Sequence, residues 1–382
     1  MTAPGRERGV DVLRGAAMLG VVLGHWLVTA PLAPDEVTGA VGLDSPLRTM
    51  PELAPVSWLL QTLGLFCLVA GFAAARSWGA STRPAGRWWW ARVRRLAGPA
   101  GAVAAAVALV VVVMALAGAP QSLVVRTVRI VVTPSWFLAV HLLLSAATPV
   151  LVRLDARFGG SAVVAGVATA GVLAAVAPGT ALAPVAVLAV WCVPWQLGIA
   201  MARRPLRPQV AAALLAGGVL AVVVLVLSGA VPPTAVGVPG ADRSNLDPPS
   251  VATLALVLGQ GGAAALLLPG LARDGRAARA LAALGRRAYP VFLLHQAVFA
   301  AVWLATLRVG PLPGLHEGTA TPGWLAARTG WVVVLAVVLG GAVHRSRAPV
   351  PGAAAAVTST SPPGRPRWRA RWSAVDAGSR PR

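Results

Sequence analysis

Apolar residues run through this chain in long blocks, separated by short stretches rich in arginine, proline and glycine. A helix needs roughly 20 apolar residues to cross a bilayer core. Runs of that kind lie at 10–31, 56–77, 96–118, 135–152, 161–178, 184–201, 209–230, 250–271, 289–306 and 324–344. The pattern predicts an all-α fold, a polytopic bundle of about ten transmembrane helices, and the short connection from Pro178 to Pro184 suits a helical hairpin. Arg6 and Arg8 ahead of the first run imitate a signal peptide. That run holds Asp11, Arg14 and His25, however, and is too long and too charged for a cleaved apolar core.

The polar stretches orient the bundle, because cytoplasmic loops are enriched in Lys and Arg. With the N-terminus inside, the first outer loop carries Asp35, Glu36, Asp44 and Glu52 against Arg48, and the next inner one carries Arg76, Arg83, Arg87, Arg92, Arg94 and Arg95. Later inner stretches hold Arg153 and Arg157, then Arg203, Arg204 and Arg207, then Arg273, Arg276, Arg279, Arg286 and Arg287. Arg14 lies within a span, and Arg48, Arg126, Arg129, Arg243, Arg308 and Arg328 fall on outer segments; every other arginine falls on the cytoplasmic side. Both termini are therefore expected inside. Arg126 and Arg129 are the misfits, either dipping into a cavity or flanking a span as a loop. Trp88, Trp89 and Trp90 beside Arg87 and Arg92 read as an interfacial belt. Residues 1–345 are expected to form the membrane domain. Residues 346–382, Pro-, Ala- and Arg-rich with Trp368 and Trp372, are expected to be a disordered cytoplasmic tail against anionic inner-leaflet lipids.

Composition narrows the class. The 382 residues are 57% hydrophobic and 12% charged, half the roughly 25% charged content of a soluble domain. All 33 basic residues are arginine, and the net charge is +21. A disordered basic chain needs low hydrophobicity, and a soluble nucleic-acid binder has no use for so many apolar runs. Cys67 and Cys192 both sit in apolar runs and read as free thiols packed as small hydrophobes; nothing here implies a disulfide or a metal.

Ionisable groups inside spans are costly and are functional hypotheses by default. At about 100° per residue, Arg14 and His25 are offset by only about 20°, and Asp11 and His25 by about 40°, so all three share one face of the first helix. Asp11 and Arg14, three apart, can pair; the bland alternative is that each snorkels to the inner interface. His25 stands about 16 Å further along than Arg14, where a neutral imidazole can both accept and donate. His141 and His295 also lie at membrane depth, and on sequence alone they suit helix packing as well as a site. Arg92, Arg94 and Arg95 fit positive-inside bias, and equally a site for an anion, since guanidinium forks suit phosphate.

Val10-Asp11-Val12-Leu13-Arg14-Gly15-Ala16-Ala17, ending in Gly24-His25, resembles the opening signature of the integral-membrane acyltransferase 3 family, whose first helix carries a basic residue, ten intervening residues and a histidine. Leu65-Phe66-Cys67-Leu68-Val69-Ala70-Gly71-Phe72 is similar to its second-helix pattern, with Ala70 where serine is common. Arg92-Val93-Arg94-Arg95-Leu96 with Pro99 is similar to its basic third-helix entry. Ser135-Trp136-Phe137-Leu138 followed by Pro149 resembles its mid-chain tryptophan helix. Gly285-Arg286-Arg287-Ala288-Tyr289 through Phe292-Leu293-Leu294-His295 resembles its late Ser-Tyr-x-x-Tyr-Leu-x-His run. The likeness covers about residues 8–345. Departures are His141 where many members have glutamate, Ala288 for serine and Phe292 for tyrosine.

The resemblance implies a multi-pass protein of a bacterial plasma membrane. Its implied activity moves an acyl group, commonly acetyl, from acyl-CoA to a hydroxyl of a glycan, a lipid-linked sugar or a small natural product. His25, Asp11, Arg14, His141 and His295 are then the catalytic candidates, and Arg14, Arg92 and Arg95 the candidates for binding acyl-CoA. The rival class is a transporter or flippase of a glycan or lipid, for which a histidine and an arginine on one helix face would serve proton coupling.

Overall fold

The computed structural model describes residues 3–321 and 323–346. α1 (Ala3–Val28) leads into an antiparallel hairpin of β1 (Ala30–Pro34) and β2 (Val41–Asp44), followed by α2 (Pro46–Thr49), α3 (Ala54–Leu60) and α4 (Leu63–Ala80). Then come α5 (Ala85–Leu116), α6 (Gln121–Val132), α7 (Trp136–Phe158), α8 (Gly160–Val176), α9 (Ala183–Arg203) and α10 (Pro208–Leu227). α11 (Val251–Leu271), α12 (Arg276–Arg286), α13 (Ala288–Thr306) and α14 (Trp324–Arg345) complete the described chain. The protein is an all-α polytopic bundle. Among the described residues, nine helical stretches are long and apolar enough to cross a membrane. The run at 161–178 forms α8, whose 17 residues span about 25 Å, at the short limit for a crossing. The expected tail lies, from residue 347 on, outside the described residues, as do Trp368 and Trp372.

Three boundaries differ from the apolar pattern. The third helix starts at Ala85, so Arg87, Arg92, Arg94 and Arg95 stand on a continuous helix rather than a loop. Nothing between Ala85 and Leu96 breaks a helix, and Pro99 is absorbed, as prolines in membrane helices are. The second run breaks at Gln61-Thr62, where Gln61 Oε1 accepts the Leu63 N–H at 3.2 Å. Ahead of the fourth run lies the separate helix α6, which explains the misfit arginines: Arg126 donates through Nη2 to the Val41 carbonyl of β2 at 2.9 Å, while Arg129 is exposed.

The end of the bundle opposite α1's start is tied together by a buried carboxylate. Asp44, 3% exposed, accepts from Arg48 Nε and Nη2, from the Ser45 N–H, and from the N–H and hydroxyl of Thr319. Burial pushes its carboxyl up, but these donors outweigh it and hold it below the usual carboxylate range. At the other end Asp155, fully buried, pairs with Arg203 at 3.0 Å.

α12 packs along α1 through two glycines. A Cβ on Gly15 would fall 1.9 Å from the Leu281 carbonyl oxygen, and one on Gly285 would fall 2.0 Å from that of Asp11. Small residues of this kind let membrane helices approach to backbone contact. Gly285→Leu is therefore expected to lower stability in detergent by about 1–3 kcal/mol or more, as overpacking does, read as a fall in Tm. Gly98→Leu, with nothing within 4 Å of its Cβ, is expected to leave Tm unchanged.

Candidate active site

Two cavities lie end to end within the bundle. The one toward the basic end is about 220 Å³ and is lined by Arg14 of α1, Arg92 of α5, His141 of α7, Arg286 of α12 and Tyr289 of α13. The other is about 490 Å³ and is lined by His25 among mostly apolar side chains of α1, α3 and the α10–α11 loop. Phe137 and Phe292 line both. Their rings pack edge to face with centroids 6.2 Å apart, and Phe66 packs on Phe137 at 5.6 Å. An aromatic partition thus separates a cationic chamber from an apolar one.

In the cationic chamber Arg14 Nη1 donates to Asp11 Oδ1 at 2.6 Å. A guanidinium has five N–H donors, so this bond fixes Arg14 while leaving donors for a ligand. Arg92 donates to Ser77 Oγ at 3.0 Å and lies over the Trp88 ring at 4.3 Å; both contacts hold its plane. His141 packs its ring edge to face on Trp195, 5.2 Å between centroids. Its nitrogens have no hydrogen-bond partner among the described residues. The Tyr289 hydroxyl donates to the Leu96 carbonyl, tying α13 to α5. Arg95 is exposed and does not line the chamber.

At the apolar chamber the structure brings together two histidines 270 residues apart. His25 Nδ1 and His295 Nε2 are 2.9 Å apart, and His295 Nδ1 is 2.7 Å from the Phe292 carbonyl. With both imidazoles neutral, these contacts fix their tautomers. A carbonyl only accepts, so His295 carries its proton on Nδ1 and its Nε2 accepts; His25 must then donate from Nδ1. The remaining nitrogen of His25, Nε2, is left as the unprotonated base.

Two further residues position this pair, and neither was among the sequence candidates. Trp26 Nε1 donates to the His295 carbonyl at 3.1 Å, pinning α1 to α13 beside the imidazoles. Arg328, fully buried, donates to the carbonyls of Trp26 at 2.6 Å, Gly314 at 2.9 Å and Thr29. A cation on these carbonyls caps the C-terminal end of α1. Its charge inside the last apolar run was the available signal. Arg286, Tyr289, Phe137 and Phe292 all stand within motif stretches, but nothing in the sequence singled them out as lining a site.

No curated protein and no solved structure matches the chain. A family model described as an acyltransferase domain matches residues 7–343, which takes in both chambers and every candidate residue, and the chain belongs to the acyltransferase 3 family.

Proposed function

We propose that this membrane acyltransferase moves an acyl group, acetyl in the simplest case, from acyl-CoA to a hydroxyl of an acceptor across a bacterial plasma membrane. The reading is carried by the junction of the two chambers, with arginines on one side of Phe137 and Phe292 and His25 on the other. The positive-inside rule makes the basic end cytoplasmic, and acyl-CoA is a cytoplasmic anion. Arg14, Arg92 and Arg286 supply guanidinium donors to its phosphates, with His141 and Tyr289 beside them. Arg95, outside the chamber, is left with the outermost part of the nucleotide.

The thioester then meets the acceptor at the aromatic partition. His25 Nε2 takes the hydroxyl proton, and the alkoxide oxygen bonds to the thioester carbonyl carbon. The C–S bond breaks, and the imidazolium returns its proton to the CoA thiolate. Asp11 holds Arg14 and His295 holds His25; both are positioning residues. Exposed Arg276 and Arg279 on α12 support contact with anionic headgroups of the inner leaflet.

Kinetics with labelled acetyl-CoA in membranes test the donor side. Arg92→Ala is expected to raise KM for acetyl-CoA by about 10–100-fold, the worth of one hydrogen bond to a charged group, with kcat little changed. Arg95→Ala is expected to stay within a few-fold of wild type. An unchanged KM for Arg92→Ala removes that residue from the donor site.

A further inference from the structure

We infer that the acceptor is an alcohol carried on a largely hydrocarbon body, of isoprenoid or long-chain type, and not a free sugar. The inference rests on the acyl-transfer reading and narrows its acceptor. The chamber that holds His25 measures about 490 Å³, the size of a small-molecule site. Its polar side chains are few: His25, Ser57, Gln61 and the Trp136 indole. Ser57 Oγ is already committed, donating to the Ala54 carbonyl at 2.6 Å and accepting from the Ala235 N–H at 2.9 Å. Gln61 Oε1 accepts from Leu63. What remains is the base on His25 and the N–H groups of Gln61 and Trp136.

That set serves one hydroxyl. A sugar carries a hydroxyl on nearly every ring carbon, and most would be buried here without a partner, which is the expensive way to lose a hydrogen bond. An alcohol with a hydrocarbon body leaves none unpaired and buries its apolar surface against Val21, Leu47, Leu60 and Leu246. The rim has the same character: Val56, Trp136 and Leu325 both line the chamber and are exposed. In a bundle that spans a membrane, such a rim admits a molecule dissolved in lipid more readily than one dissolved in water.

The test uses the full chain in lipid nanodiscs with radiolabelled acetyl-CoA, and farnesol or N-acetylglucosamine as acceptor. Label is expected on farnesol and not on N-acetylglucosamine. Val56→Asp, which puts a charge on the apolar rim, is expected to cut the farnesol rate by about tenfold without moving KM for acetyl-CoA. Binding is read separately on His25→Ala protein, where the chemistry is off. A diazirine-tagged farnesol is expected to label the chamber saturably and to be displaced by farnesol but not by N-acetylglucosamine. Acetylation of the sugar, displacement by it, or no saturable labelling would overturn the inference. Saturable labelling without acetyl transfer by the wild-type protein would support the apolar occupant and overturn the acyl-transfer reading instead.

Discussion

His25→Ala is expected to lower acyl transfer by about 10²–10⁴-fold, the usual contribution of a positioned general base. KM for acyl-CoA and the yield of folded protein are expected to stay as in wild type. The separation follows from geometry. His25 lines the apolar chamber and is absent from the cationic one, so truncating it removes no donor contact. Helix α1 keeps its other anchors, since Trp26 still bonds to the His295 carbonyl and Arg328 still caps the helix end. The measurement is single-turnover transfer of labelled acetyl from acetyl-CoA in membranes, alongside acetyl-CoA binding. Undiminished turnover at normal expression would remove His25 from the chemistry. A parallel loss of acetyl-CoA binding would show that the variant had disturbed the bundle.

The one-dimensional signals that survived folding are those of single helices. Asp11, Arg14 and His25 share a face because the helical period dictates it, and the pairing of Asp11 with Arg14 follows from their three-residue spacing. The expected sidedness of the arginines rests on the order of apolar runs alone. Contacts between distant helices were not. His295 looked equally suited to packing until α13 set it against His25. Arg92 and Arg95 are equivalent in a list of charges; they separate only because α5 is one continuous helix whose rotation turns Arg92 inward and leaves Arg95 exposed. Arg328 was counted as one more outer charge, whereas its three carbonyl acceptors come from α1, its end and the loop before α14. Phe137 and Phe292 stand in motif stretches, but their role as a partition was not legible there, because it lies in having a cavity on each side.

His295→Ala is expected to lower kcat by about 10²–10⁴-fold, approaching the loss seen when the orienting member of a Ser-His-Asp triad is replaced and the histidine takes the wrong tautomer. His295 lines neither chamber, so on the proposed mechanism it acts through His25. Without its Nε2 as acceptor, His25 Nδ1–H loses the bond that fixes the ring, and the proton can shift to Nε2, the nitrogen that must stay bare to accept one from the acceptor hydroxyl. His295→Gln separates this role from packing. The glutamine carboxamide offers an oxygen near the position of Nε2 and can again accept from His25, so it is expected to recover at least about tenfold over alanine. The Trp26 bond goes to the backbone carbonyl of residue 295 and persists in both variants, so the helices stay pinned and KM for acyl-CoA is expected to hold. Equal impairment of alanine and glutamine, or wild-type kcat in both, would show that the two imidazoles merely pack together.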